Sequence, residues 1–159
     1  MAYRKTHKLH IVAVTAVIRN DEGKYLLLKR SDREIAYPGM YAFPGGKVEN
    51  NESPGEALVK EVREEAGLDL LPGKILLEDG SFIRPDGQTV KVFIYLCQAK
   101  DTSKVAISDD FTDYKWVAPA ELDTLPHLGY RDELDRAEAI FAADTLRTTF
   151  EAPSFRRED

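Results

Sequence analysis

Between Gly46 and Leu68 the chain carries a glycine, an acid at Glu52 and the run Lys60-Glu61-Val62-Arg63-Glu64-Glu65-Ala66-Gly67-Leu68, a pattern that demands a helix behind a glycine-rich segment. The ends of that helix are marked in the sequence. Ser53 is an N-cap residue, Pro54 stands at the first helical position, Glu56 is the capping-box glutamate, and Gly67 is a C-terminal stop. Turning about 100° per residue from Glu61 puts Glu65 near about +40° and Glu64 near about −60°, so the three acids share one arc. Leu58, Val62, Ala66 and Val59 fall between about +60° and +160°, so the acidic stripe borders the core. Glu56, Lys60 and Arg63 take the remaining, solvated face. Ala57, near about −40°, is small enough to leave space above it for an ion or a phosphate. Crowded carboxylates repel one another unless cations neutralise them, so the stripe is suited to holding a divalent metal against a diphosphate. Glutamate pairs are common on exposed helices of a chain with 31% charged residues. The flanking caps and Phe43-Pro44-Gly45-Gly46 set this helix apart. Those four residues read as a tight glycine turn whose backbone can approach a metal or a phosphate without Cβ interference.

With these residues in hand, the chain resembles the Nudix hydrolases. Their signature is Gly, five residues, Glu, seven residues, then Arg-Glu-apolar-any-Glu-Glu-any-Gly-apolar. Gly46, Glu52, Glu61, Val62, Glu64, Glu65, Gly67 and Leu68 match it. Lys60 stands where the family has arginine, keeping the charge but losing the bidentate fork, and pairing with Glu64 one turn later is open to it. The resemblance implies an α/β fold, an α/β/α sandwich with a mixed β-sheet between helices. It also implies a Mg²⁺-dependent hydrolase, with Mn²⁺ as the other cation, that cleaves a nucleoside diphosphate linked to a further group. Glu61, Glu64 and Glu65 are then the catalytic residues, and with the Gly45 carbonyl they form an oxygen donor set for such hard cations. Glu64 or Glu61 is the candidate for taking the proton of the attacking water. The loop Ser108-Asp109-Asp110-Phe111-Thr112-Asp113 lies where relatives supply a further glutamate, and here it offers Asp110 or Asp109 as an added metal ligand. Glu52, before the N-cap, reads as an acceptor for loop amides.

The length fits one domain over residues 1–150, followed by a frayed polar tail over 151–159. No apolar run reaches membrane-spanning length, and Met1-Ala2-Tyr3-Arg4-Lys5 leads into a strand, so a cytoplasmic protein with no membrane partner is expected. The net charge of −6 argues against nucleic acid as a partner and makes an anionic substrate depend on local cations. Arg30 at the end of a strand and Lys47 after the glycines are the substrate-binding candidates, with Lys29 and Arg33 near the first. Cys97 lies in an apolar run and reads as a small core residue. The three histidines show no ligand spacing.

Strands are expected at His10 to Arg19 and Tyr25 to Lys29, joined as a hairpin by Asn20-Asp21-Glu22-Gly23. Further strands are expected near Ile75 to Ile83, Thr89 to Ala99 and Tyr114 to Val117, with Arg84-Pro85-Asp86-Gly87 as a turn. A short helix starts at Pro119, and a last one near Arg131 carries Leu134, Ala137 and Phe141 at helical spacing. Tyr41, Phe43, Phe82, Phe111 and Trp116 read mostly as core, with stacking on a base as their other use. Three functional readings follow. The first is hydrolysis of a (deoxy)nucleoside triphosphate to monophosphate and pyrophosphate. The second is cleavage of ADP-ribose or another nucleotide sugar; Pro85, seventeen residues past Leu68, sits in a plain hairpin turn and counts weakly against it. The third is a nucleotide-binding module without catalysis, against which the intact acids speak. A monomer and a homodimer both fit.

Overall fold

The computed structural model describes residues 9–143, so the expected tail at 151–159 lies outside the described residues. Seven strands and two helices follow in chain order: β1 (Ile11–Ile18), β2 (Tyr25–Arg30), β3 (Tyr41–Ala42), β4 (Gly45–Lys47), α1 (Pro54–Ala66), β5 (Ile75–Ile83), β6 (Thr89–Cys97), β7 (Phe111–Val117) and α2 (Arg131–Ala142). A 3₁₀ segment, Pro119–Thr124, precedes α2. No helix among the described residues is long and apolar enough to cross a membrane.

The strands form a four-stranded sheet in the order β4-β1-β6-β5 and a three-stranded sheet in the order β3-β2-β7. β1 runs parallel to β6, from Ile11 opposite Val90 to Ile18 opposite Cys97, and antiparallel to β4. The larger sheet is therefore mixed. Period-two alternation divides the apolar side chains between the two helices. Ala16, Ile18, Leu26 and Leu28 face one core with Leu58, Val62 and Ala66 of α1. Val17, Tyr25 and Leu27 face the other, with Leu134 and Ala137 of α2 and partly buried Phe141 packed against it. This is the helix–sheet–helix sandwich that the sequence implies. Cys97 is buried in the first core, and burial pushes its thiol up to about 12. Tyr41, Phe43 and Phe111 are core residues as expected, whereas Phe82 is half exposed on β5.

Two local expectations are corrected. Residues 20–23 do form a turn, in which the Asn20 N–H donates to the Lys24 carbonyl and the Gly23 N–H to the Asn20 carbonyl. Yet β1 and β2 do not zip into a hairpin, and one bridge, Arg19 opposite Tyr25, joins their ends. Their facing edges are taken instead by residues 41–47: Tyr41–Ala42 pairs with β2 and Gly45–Lys47 pairs with β1. Pro44 has no N–H to offer a ladder, and at this residue the chain steps from one sheet to the other. Its carbonyl accepts the Ala16 N–H at 2.8 Å. The glycines are therefore extended strand and not a tight turn. They are needed for closeness, because a Cβ on Gly45 would overlap the Val14 carbonyl oxygen and one on Gly46 would overlap the Glu61 carboxylate.

Candidate active site

Helix α1 begins and ends where its caps dictate. The Glu56 N–H donates to Ser53 Oγ, the Ser53 N–H donates to the Glu56 carboxylate, and Gly67 closes the helix at φ 67° with its N–H on the Arg63 carbonyl. The buried side chains are Ala57, Leu58, Val62 and Ala66, whereas Val59 is exposed. This moves the core face toward the acids. Ala57 is fully buried instead of roofing an open space, and Glu61 and Glu65 lie inside the packed arc. Both point at the glycines of β4. Glu65 Oε2 accepts the Gly45 N–H at 2.9 Å, and the Glu61 carboxylate rests on Gly46. Glu64, at the edge of the arc, is exposed.

The electrostatics follow from this placement. Burial pushes Glu65 up to about 8; the Gly45 hydrogen bond opposes this, and the charges of Glu61 and Asp110 add to it. Glu61 is also raised, chiefly by burial, against the opposing charge of Lys60. The Lys60 ammonium does not reach Glu64. It binds Glu52 at 2.9 Å, with Glu49 at 3.5 Å and Glu61 at 3.8 Å. Glu52 also accepts the Glu49 N–H at 2.8 Å, the loop-bracing role expected of it. Lys60 thus ties the loop before α1 to the first of the acids.

Among the described residues no three His, Cys, Asp or Glu side chains converge into a ready-made cage for a metal. The donors nonetheless fit a hard divalent cation. Glu61 and Glu65 are adjacent, partly desolvated carboxylates whose mutual repulsion a cation would remove. Mg²⁺ in particular is usually held by one or two carboxylates together with substrate phosphates and water, not by an all-protein cage. Gly45 meets Glu65 through its N–H.

A cleft of about 870 Å³ meets the end of β4 at Lys47, with Arg30 and Asp110 also among its lining residues; Glu61, Glu64 and Glu65 do not line it. Arg30 is committed to the loop after β2: its guanidinium donates to Glu34 at 2.9 Å and to the Ala36 carbonyl at 2.9 Å. Lys47 is exposed and, among the described residues, makes no ion pair. Asp110 is exposed, its charge reaches Glu65, and its carbonyl accepts the Ser31 N–H at 2.9 Å. Two residues of the site had no signal of their own in the sequence. Arg84, on the β5–β6 turn, lines the same cleft. The hydroxyl of Tyr130 is buried near the Phe43 backbone and feels both Arg30 and Glu65; burial pushes it up to about 12. Long-range strand pairing brings Arg84 here, and packing of the start of α2 on Phe43 brings Tyr130.

A family model described as the NUDIX domain matches residues 9–138. The nucleoside triphosphatase NudI of Salmonella agona (strain SL483) is 39% identical over 118 residues, covering 69% of this chain and 82% of that protein. Among solved structures, a MutT protein from Methanosarcina mazei Go1 superposes with a TM-score of 0.70 at 29% identity, covering 82% of this chain and 94% of the other. The E. coli ORF135 protein superposes with a TM-score of 0.67 at 27% identity, covering 87% and 96%.

Proposed function

Since the chain belongs to the Nudix family and is a pyrophosphohydrolase by that kinship, we propose that its substrate is a nucleoside triphosphate, cleaved with Mg²⁺ to a monophosphate and pyrophosphate. The observation that carries this reading is the pair of half-buried carboxylates, Glu61 and Glu65, against the glycine strand β4, whose last residue, Lys47, lines a cleft with exposed cations. The similarity to nucleoside triphosphatases supports the substrate class. Mn²⁺ is the other cation that the same oxygen donors would take.

In this mechanism Glu61 and Glu65 hold the cation, with Glu64 and Asp110 within the same acidic surround and Gly45 fixing Glu65 through its N–H. When bound, the cation neutralises charge on the transferring phosphoryl group and lowers the pKa of water beside it. Lys47 meets substrate phosphate from the end of β4. Arg30 acts indirectly, by holding the loop of residues 31–36 through Glu34 and the Ala36 carbonyl. Glu64 accepts the proton of the attacking water at its carboxylate: it is exposed, whereas Glu61 is engaged by Lys60 and packed on Gly46.

The test is incubation of the purified chain with Mg²⁺ and a panel of nucleoside triphosphates, ADP-ribose and dinucleotides, with products separated by chromatography. Monophosphate plus pyrophosphate from the triphosphates, with kcat at least about 100-fold lower in a folded Glu64→Gln variant, is the expected result. Cleavage of ADP-ribose alone transfers the assignment to nucleotide sugars. Near-normal turnover in both Glu64→Gln and Glu65→Gln removes the roles given to the acids.

A further inference from the structure

The cations of the cleft are not equivalent. Arg30 is neutralised by Glu34, which leaves Arg33, Lys47 and Arg84 as the other cations of a lining that also includes Asp109 and Asp110. These three come from the loop after β2, the end of β4 and the β5–β6 turn. Among the described residues Arg33 and Lys47 make no ion pair. Arg84 is held by a single contact to its own turn, Asp86 at 2.9 Å, and remains partly exposed. The Arg84 backbone is fixed from both sides: its N–H donates to the Gln88 carbonyl and its carbonyl accepts the Gly87 N–H, each at 2.9 Å. The guanidinium thus projects from a hydrogen-bonded turn, and exchanging one exposed carboxylate for a phosphate costs it little.

We propose that Arg84, with Arg33 and Lys47, forms a second anion subsite that takes the outer phosphates of a polyphosphate chain, beyond the linkage lying against the acids. The proposal rests on the pyrophosphohydrolase reading and makes it narrower. A cleft that carries the acids Asp109 and Asp110 together with cations not committed elsewhere suits a substrate one of whose phosphates is shared with a metal ion while the outer ones are bare. A nucleotide sugar offers no such outer phosphate, so Arg84 separates triphosphates from ADP-ribose. Asp86 then competes with the substrate for the guanidinium.

Calorimetric titration of the full chain with inorganic pyrophosphate in EDTA tests this without turnover. Wild type binds. Arg84→Gln weakens binding about three- to tenfold, the range for one charge-assisted contact at a partly exposed site. Asp86→Asn frees Arg84 and tightens binding, while Lys104→Gln, which removes a cation paired with Asp101 away from the cleft, leaves it unchanged. The subsite is overturned if wild type does not bind pyrophosphate, if Arg84→Gln binds as wild type does, or if Lys104→Gln weakens binding equally. With Mg²⁺, Arg84→Gln raises KM for triphosphates and keeps kcat, and leaves the KM of any ADP-ribose cleavage unmoved. Absence of turnover on every substrate speaks only to the hydrolase reading, since the calorimetry decides the subsite by itself.

Discussion

Glu65→Gln should stabilise the metal-free protein at alkaline pH while destroying its activity. Glu65 has its carboxyl raised from 4.5 to about 8, first by burial, with Glu61 and Asp110 adding to the shift. A carboxyl raised on folding binds its proton more tightly in the native state. Its contribution to stability is therefore complete below about pH 4.5 and is lost as pH rises through about 8. At about 1.4 kcal/mol per pH unit the full loss approaches about 5 kcal/mol, a large part of the stability of a domain of this size. Glutamine is the right probe because its amide oxygen still accepts the Gly45 N–H, so the loss of charge is separated from the loss of the hydrogen bond. The assay is urea unfolding of wild type and variant in EDTA at pH 5, 7 and 9. The two should be nearly equal at pH 5, and the variant should lead by several kcal/mol at pH 9. Glu61 is raised in the same direction, and because its charge adds to the shift of Glu65, removing the Glu65 charge also eases the ionisation of Glu61 and adds to the variant's lead at pH 9. Parallel profiles, or a variant less stable at pH 9, would refute the claim that the site stores unneutralised charge.

The same stored charge predicts a metal response readable without substrate. At a hundred times its Kd, Mg²⁺ should add about 2.7 kcal/mol to wild-type stability, raising Tm by about 5–10 °C near pH 8. In Glu65→Gln the rise should largely vanish; an equal shift in both proteins would place the cation elsewhere. The two glycines of β4 should separate fold from function. Gly45→Ala meets the Val14 backbone and should cost about 1–3 kcal/mol or more in urea unfolding. Gly46→Ala meets only the movable end of Glu61 and should leave the protein folded, with kcat lowered up to about 100-fold by the displaced acid. Equal loss of stability in the two would contradict this contrast.

What was legible in the sequence is what neighbouring residues determine among themselves. Ser53, Glu56 and Gly67 set both ends of α1 through contacts three or four residues long, and the structure reproduces them. The turn Arg84-Pro85-Asp86-Gly87 was visible for the same reason. The hairpin between β1 and β2 was misread because its turn is local but its strands choose partners across the chain. β6 lies more than seventy residues beyond β1, and residues 41–47 displace β2 from its edge. The rotation of the buried face of α1 was also hidden. Nothing in Ala57 or Val59 alone says that the small residue is covered and the larger one exposed; the position of the sheet beneath decides that.

The candidate site divides along the same line. Its acids sit within five residues of one helix, so their grouping is fixed by helical geometry and survives any uncertainty about topology. Its cations do not share an element: Arg33, Lys47 and Arg84 come from three connections that only the folded sheets bring to one cleft. Arg30, one of the two substrate-binding candidates the sequence offers, is paired with a residue four places away, whereas Arg84, in a plain turn, lines the cleft. In the proposed mechanism the local cluster would carry the chemistry shared with relatives, and the distant one the choice of substrate. A sequence motif accordingly identifies a pyrophosphohydrolase without naming the molecule it cuts, and substitutions in the loops, not in α1, are where specificity should change.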